Sequence, residues 1–256
     1  MTSYVFKRDT WVIVPKTIPS PKLRLFCLPF AGGNANAFRE WANFLPDTVE
    51  LNAVEIPGRG HRLAEPLVKQ IEPLVEAIAQ GIKPYLDRPF TLFGHSMGAL
   101  LGFELTHYLK QEFDLQPAHL FLSGRGAPDI VDKEEPIHNL PENEFIERIK
   151  NYNGTPKEVL EHEELMQIMI PILRSDFEVC ETYRYQEKPK LTLPLTVFGG
   201  LKDSSAPSAD LEAWANYTEG PFALRMFSGD HFYLLQSKAD LVHAILRDIN
   251  KYNKLL

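Results

Sequence analysis

Short apolar runs, each ended by proline or glycine, recur along the 256-residue chain. Residues 23–28 (LRLFCL) stop at Pro29, and residues 49–56 alternate apolar with polar before Pro57. Residues 89–93 and 119–122 each run into a glycine turn, and residues 193–198 and 222–227 add two more runs. Brief apolar segments bounded by turn formers read as buried strands. Between them, helical periodicity appears at 38–44, 71–86, 97–110, 211–217 and 238–250. Strand and helix alternating at this spacing predict one α/β domain over residues 1–256, with a mainly parallel sheet flanked by helices.

Residues 130–190 break that rhythm. Pro141 opens a helical stretch to about residue 150, in the first-turn position that proline favours. Residues 163–183 carry apolar positions at Leu165, Ile168/Met169, Ile172/Leu173 and Val179/Cys180. That is helical spacing, with a kink expected at Pro171. A helical insertion inside an α/β domain reads as a lid.

Charge sharpens this picture. The chain has 27 basic and 34 acidic residues, a net charge of −7, which argues against nonspecific nucleic-acid binding. Between Asp129 and Lys188 there are 15 acidic and 7 basic residues, so the insertion carries the acidity and the body is near neutral. No apolar run approaches the ~18–20 residues that span a bilayer. The start, MTSYVFKRDTW, lacks a basic-then-apolar leader, so a cytoplasmic location and no membrane association are expected. Cys27 and Cys180 are too few for a disulfide framework and have no metal-ligand spacing. Both read as small buried hydrophobes, and no metal is expected.

The candidate chemistry centres on FTLFGHSMGAL, residues 90–100. A strand ending in Gly94 and a helix starting near Met97 are the context in which a G-x-S-x-G turn presents a nucleophilic serine, here Ser96. His95 is a poor base, because neighbours on such a turn project in different directions. Among eight histidines, His231 in SGDHFY sits just after the last strand and before the C-terminal helix, on the same sheet edge as Ser96. For the acid, Asp203 follows the 193–198 strand through Gly199-Gly200-Leu201-Lys202, and it completes the order Ser, Asp, His. Asp129 and Asp230 are the weaker candidates. An oxyanion site needs two backbone N–H groups. Met97 supplies one, and the loop PFAGGN supplies the other, with Ala31 preferred over Phe30. Glu104, on the helix behind Ser96, reads as a polar packing contact.

The set PFAGG, EIPGRGHR, GHSMGALLGFEL, FLSGRGAP, GTPKEVLEHEEL, RSDFEVCETYRY, FGGLKD and SGDHFYL resembles the stand-alone type II thioesterases. These are α/β-hydrolases that accompany nonribosomal peptide and polyketide synthases. The resemblance implies an α/β-hydrolase fold with a helical lid, and hydrolysis of acyl or aminoacyl thioesters on the phosphopantetheine arm of carrier proteins. It also implies the triad Ser96, Asp203 and His231. No cofactor is implied, since phosphopantetheine enters as part of the substrate. The partners expected are acyl or peptidyl carrier domains, with the protein itself a monomer. Arg59, Arg62 and Arg125 on the near-neutral body are the candidate carrier-docking residues. A medium-chain acyl-carrier thioesterase, a carboxylesterase on the same triad and a non-catalytic carrier-binding protein are the alternatives.

Overall fold

The computed structural model describes residues 11–130, 135–152, 154 and 160–254. Most of the N-terminal stretch, residues 131–134 of the insertion and part of GTPKEVLEHEEL therefore lie outside the described residues. Seven strands form one sheet: β1 (Val12–Ile13), β2 (Leu23–Leu28), β3 (Val49–Val54), β4 (Phe90–His95), β5 (His119–Ser123), β6 (Leu195–Gly200) and β7 (Phe222–Phe227). Their order is β1-β3-β2-β4-β5-β6-β7, parallel throughout except for β1, which pairs antiparallel with β3. Six of these match the expected runs. The two residues of β1 are too short to leave a periodic signal.

The strands are apolar on both faces, as a sheet covered on two sides requires. On β2, Phe26 and Leu28 join one core with α1 (Ile71–Ile82) and α2 (Met97–Phe113). Leu25 and Cys27 point the other way, towards Phe38 and Trp41 of a 3-10 helix (Ala35–Asn43) and Leu241 and Ile245 of the C-terminal helix. Each such Leu or Phe contributes about 1.5–3 kcal/mol when fully buried. The helical segment expected at 71–86 divides, because Pro84 cannot donate to the preceding turn and the chain tightens into 3-10 geometry at Lys83–Tyr85.

The insertion contains α3 (Glu142–Asn151) and α4 (Glu163–Thr182). Met166, Ile170 and Leu173 of α4 pack with Ile137, Phe145 and Ile149 in a separate apolar cluster. The expected stripe was partly misplaced: Leu165 and Ile168 lie on the exposed face. α4 runs uninterrupted through Pro171, which lies on its exposed face. Glu104 bridges α2 to the end of the lid, accepting from Tyr183 Oη at 2.8 Å and from Lys188. Three further helices follow: α5 (Ser208–Glu212), α6 (Tyr233–Gln236) and α7 (Lys238–Asn253).

Candidate active site

The order of the central strands places the candidate residues on one edge of the sheet. The chain leaves β2 to one side for β3 and returns across it to β4, so the carboxyl ends of β2 and β4 flank the crevice where open α/β sheets bind ligands. Leu28 pairs with Gly94 across these strands, which sets the PFAGG loop beside GHSMG.

Ser96 sits between β4 and α2 with φ 55° and ψ −114°. Asp114 and Lys254, the other non-glycine residues with positive φ among the described residues, are ordinary left-handed helix caps. Ser96 lies outside that well and is strained. The glycines around it answer to backbone crowding. A Cβ on Gly94 would fall 1.8 Å from the Gly98 carbonyl oxygen, and one on Gly98 would fall 2.3 Å from that of Leu28. The turn is pinned by the Ser96 N–H, which donates to the Ser123 carbonyl at 2.8 Å. Met97 is the first residue of α2, so its N–H has no acceptor within the helix and lies at the positive end of the helix dipole.

Asp203 and His231 arrive on two loops stitched to each other. The Lys202 N–H donates to the Gly229 carbonyl at 2.8 Å, and the Leu201 N–H to that of Phe227 at 2.8 Å. His231 Nδ1 meets Asp203 Oδ2 at 2.7 Å. The other carboxylate oxygen accepts from Ser205 Oγ at 2.6 Å and from the Ser205 and Ala206 N–H groups at 3.0 and 3.3 Å. Burial pushes the Asp203 carboxyl up, but the hydrogen bond and charge of His231, with Ser205 assisting, outweigh this and hold it below the ordinary carboxylate value. A carboxylate fixed in this way holds the imidazole with Nδ1 protonated and Nε2 free to take a proton.

His95 lies beside the candidate base, with its Nδ1 engaged by Ser123. It is fully buried, with Nδ1 2.8 Å from Ser123 Oγ, which lies 2.6 Å from Tyr233 Oη. Burial, and then repulsion from the neighbouring His231, drive its pKa well down, so it stays neutral. Its ring lies 4.8 Å from that of His231 and packs edge-on with Phe30, forming a floor under the imidazole. Asp129 is exposed and hydrogen-bonds Tyr217, and Asp230 accepts the Phe232 N–H at 3.0 Å.

The structure corrects the docking set. Arg59 and Arg62 are only 4% and 5% exposed, and their charges are used internally. Arg59 forms a bidentate pair with Asp176, at 2.7 Å for both bonds. Arg62 binds Glu65 and the Glu55 carbonyl and stacks over Trp11. Neither guanidinium is presented on the surface. Arg125 is half-buried beside Cys180. Cys27 is buried as expected, whereas Cys180 is half-buried, its thiol raised to about 11 by desolvation. Sequence reasoning missed Ser205 and assigned no role to Asp176. A serine two residues past a candidate acid is a signal only once that acid is known. Among the described residues there is no cluster that could hold a metal ion, and no helix is long and apolar enough to cross a membrane.

Comparison with known proteins follows the same lines. The thioesterase-domain family model matches residues 23–252. The gramicidin S biosynthesis protein GrsT of Aneurinibacillus migulanus is 39% identical over 247 residues, covering 96% of each chain. LgrE of Brevibacillus parabrevis is 40% identical over 245 residues, covering 94% of this chain and 93% of that protein. LgrE is named a linear gramicidin dehydrogenase, but the present sequence contains no G-x-G-x-x-G dinucleotide fingerprint. The structure of BorB, a type II thioesterase from the borrelidin biosynthetic cluster, superposes with a TM-score of 0.85 at 32% identity, covering 93% of this chain and 96% of that one. The chain belongs to the thioesterase family, as an α/β-hydrolase of the type II thioesterase kind.

Proposed function

We propose that this thioesterase removes acyl or aminoacyl groups from the phosphopantetheine arm of carrier-protein domains, using Ser96, His231 and Asp203. The observation that carries the residue assignment is the 2.7 Å His231–Asp203 bond on the sheet edge that presents the strained Ser96 turn. His231 Nε2 accepts the Ser96 proton as Oγ attacks the thioester carbonyl, and Asp203 stabilises the imidazolium. The N–H groups of Met97 and Ala31 receive the oxyanion, an effect of ~2.7–4 kcal/mol per donor at comparable sites. The tetrahedral intermediate collapses with loss of the thiol, which takes the proton from His231. A thiol leaves readily because its pKa is only about 8.5. Water, deprotonated by His231, then attacks the acyl-serine, releasing the acid and restoring Ser96.

Phosphopantetheine is part of the substrate in this scheme, and the protein acts as a cytoplasmic monomer. With Arg59 and Arg62 internal, Arg125 is the remaining candidate for carrier contact on the body. The relatives named for gramicidin S and borrelidin biosynthesis support a carrier within a peptide or polyketide assembly line.

The test is a hydrolysis panel of acetyl-, malonyl-, aminoacyl- and medium-chain acyl-carrier substrates, beside the same groups on a free thiol. Ser96-dependent turnover with a preference for carrier-bound groups is expected. Turnover of oxygen esters alone would favour a carboxylesterase. Preference for medium chains would favour the fatty-acyl reading. No labelling of Ser96 by a fluorophosphonate would leave a binding protein.

A further inference from the structure

The PFAGG loop is held from both sides by a buried ion pair between two distant segments. Asp176, on lid helix α4, is 1% exposed, and its Oδ2 accepts the Gly32 N–H at 2.7 Å. The same oxygen accepts from Arg59 Nη1 at 2.7 Å, and Oδ1 accepts from Arg59 Nη2 at 2.7 Å. Arg59 Nη1 also donates to the Gly33 carbonyl at 3.1 Å. The pair therefore grips an amide hydrogen and a carbonyl oxygen on successive residues, immediately after Ala31. Gly32 adopts φ +73°, and a Cβ there would lie 2.6 Å from Leu173 Cδ2, so α4 packs directly on the loop backbone.

A buried ion pair is weak evidence for stability, since desolvation offsets much of the attraction. Its geometry here serves the loop. Two hydrogen bonds from the pair hold the loop, one at the Gly32 N–H and one at the Gly33 carbonyl, and the conformation that results decides where the Ala31 N–H points.

We propose that Arg59 and Asp176 are positioning residues for the oxyanion site, fixing the Ala31–Gly33 backbone so that the Ala31 N–H is aimed at the developing negative charge. This rests on the triad and oxyanion reading given above. Because Asp176 belongs to the lid and Arg59 to the loop after β3, the donor is correctly placed only while the lid is seated. Lid position and transition-state stabilisation are thus one coupled variable.

The experiment compares wild type with Asp176→Asn and Arg59→Lys, each first checked for folding by circular dichroism and thermal unfolding. Asp176→Asn keeps an oxygen for Gly32 but loses the charge, and Arg59→Lys keeps the charge but not the two-pronged grip. Misplacing a catalytic group by about 1 Å can cost on the order of 100-fold in rate. The expected result is a kcat lowered by roughly 10–100-fold on an acyl N-acetylcysteamine thioester, with KM within about twofold of wild type. Affinity for an alkylboronic acid, which forms a tetrahedral Ser96 adduct, should fall in parallel with kcat, whereas fold damage alone gives no such correlation. A folded variant with kcat within about twofold of wild type overturns the proposal, as does a kcat loss with boronate affinity unchanged. If either substitution prevents folding, Asp176→Glu, which retains the ion pair but advances the carboxylate by one methylene, is measured against the same two criteria. Wild type that neither hydrolyses the thioester nor takes up a fluorophosphonate at Ser96 would refute the underlying reading instead.

Discussion

Replacing Ser96 by glycine and by alanine separates backbone strain at the proposed nucleophile from its chemistry. Both substitutions delete the hydroxyl, so neither variant should hydrolyse thioesters, and their stabilities can be compared directly. At φ 55° and ψ −114° the alanine Cβ keeps the strain of the wild-type turn, whereas glycine adopts the mirror of an ordinary extended conformation without penalty. Backbone strain of this kind costs about 1–3 kcal/mol. Glycine gives back roughly 0.5–1 kcal/mol through the greater freedom of its unfolded chain. At the middle of both ranges the difference leaves Ser96→Gly more stable than Ser96→Ala by about 1 kcal/mol. For a chain of this size that corresponds to roughly 2–4 °C in Tm. The assay is thermal unfolding of the two proteins side by side, repeated in urea to confirm an unchanged slope. Alanine equal to or more stable than glycine would refute the idea that this turn stores strain.

The remaining predictions concern the triad, the glycines, charge and pH. Asp203→Asn should retain the fold but lower kcat on the order of 10⁴-fold, because an amide holds the imidazole in the wrong tautomer; single-turnover hydrolysis measures it. Gly94→Ala, with its Cβ driven onto the Gly98 carbonyl, should yield little soluble protein, judged by expression and circular dichroism. Arg125→Glu should lower kcat/KM on carrier-bound substrates by at least several-fold while sparing a free thioester, and equal effects on both would remove Arg125 from any docking role. Burial lowers both His107 and His119 to about 4, so the unfolded chain takes up protons that the native state refuses once pH falls below about 6.5. Stability should therefore drop as pH falls from 6.5 towards 4, by up to ~1.4 kcal/mol per pH unit for each histidine. Urea titrations at pH 7 and pH 5 check this, and His119→Gln should flatten the dependence.

Much of this fold is legible in the chain because its strands are covered on both faces and so appear as dense apolar runs. The 193–198 run shows it, with Val197 joining one core and Phe198 the other. The site is legible where chemistry demands a particular residue at a particular turn, as with Ser96 between two glycines. Arg59 shows the limit. From sequence it was a cation beside a glycine turn, and its burial depends on Asp176, 117 positions away. Composition cannot distinguish a solvated guanidinium from a paired one when the partner comes from an insertion whose packing is unspecified. The lid stripe failed for a related reason: α4 has more apolar positions than one face can hold, and its contacts with both α3 and the body core decide which are buried.

The lid's separate apolar cluster also bears on how such a protein changes over time. Met166, Ile170, Phe145 and Ile149 support one another without touching the cores that hold the sheet. Substitutions there can reshape the mouth of the site while leaving the sheet's cooperative unfolding untouched, so acceptance of new acyl groups can drift at little risk to the scaffold. The amides around this cluster should accordingly exchange in a faster, distinct phase.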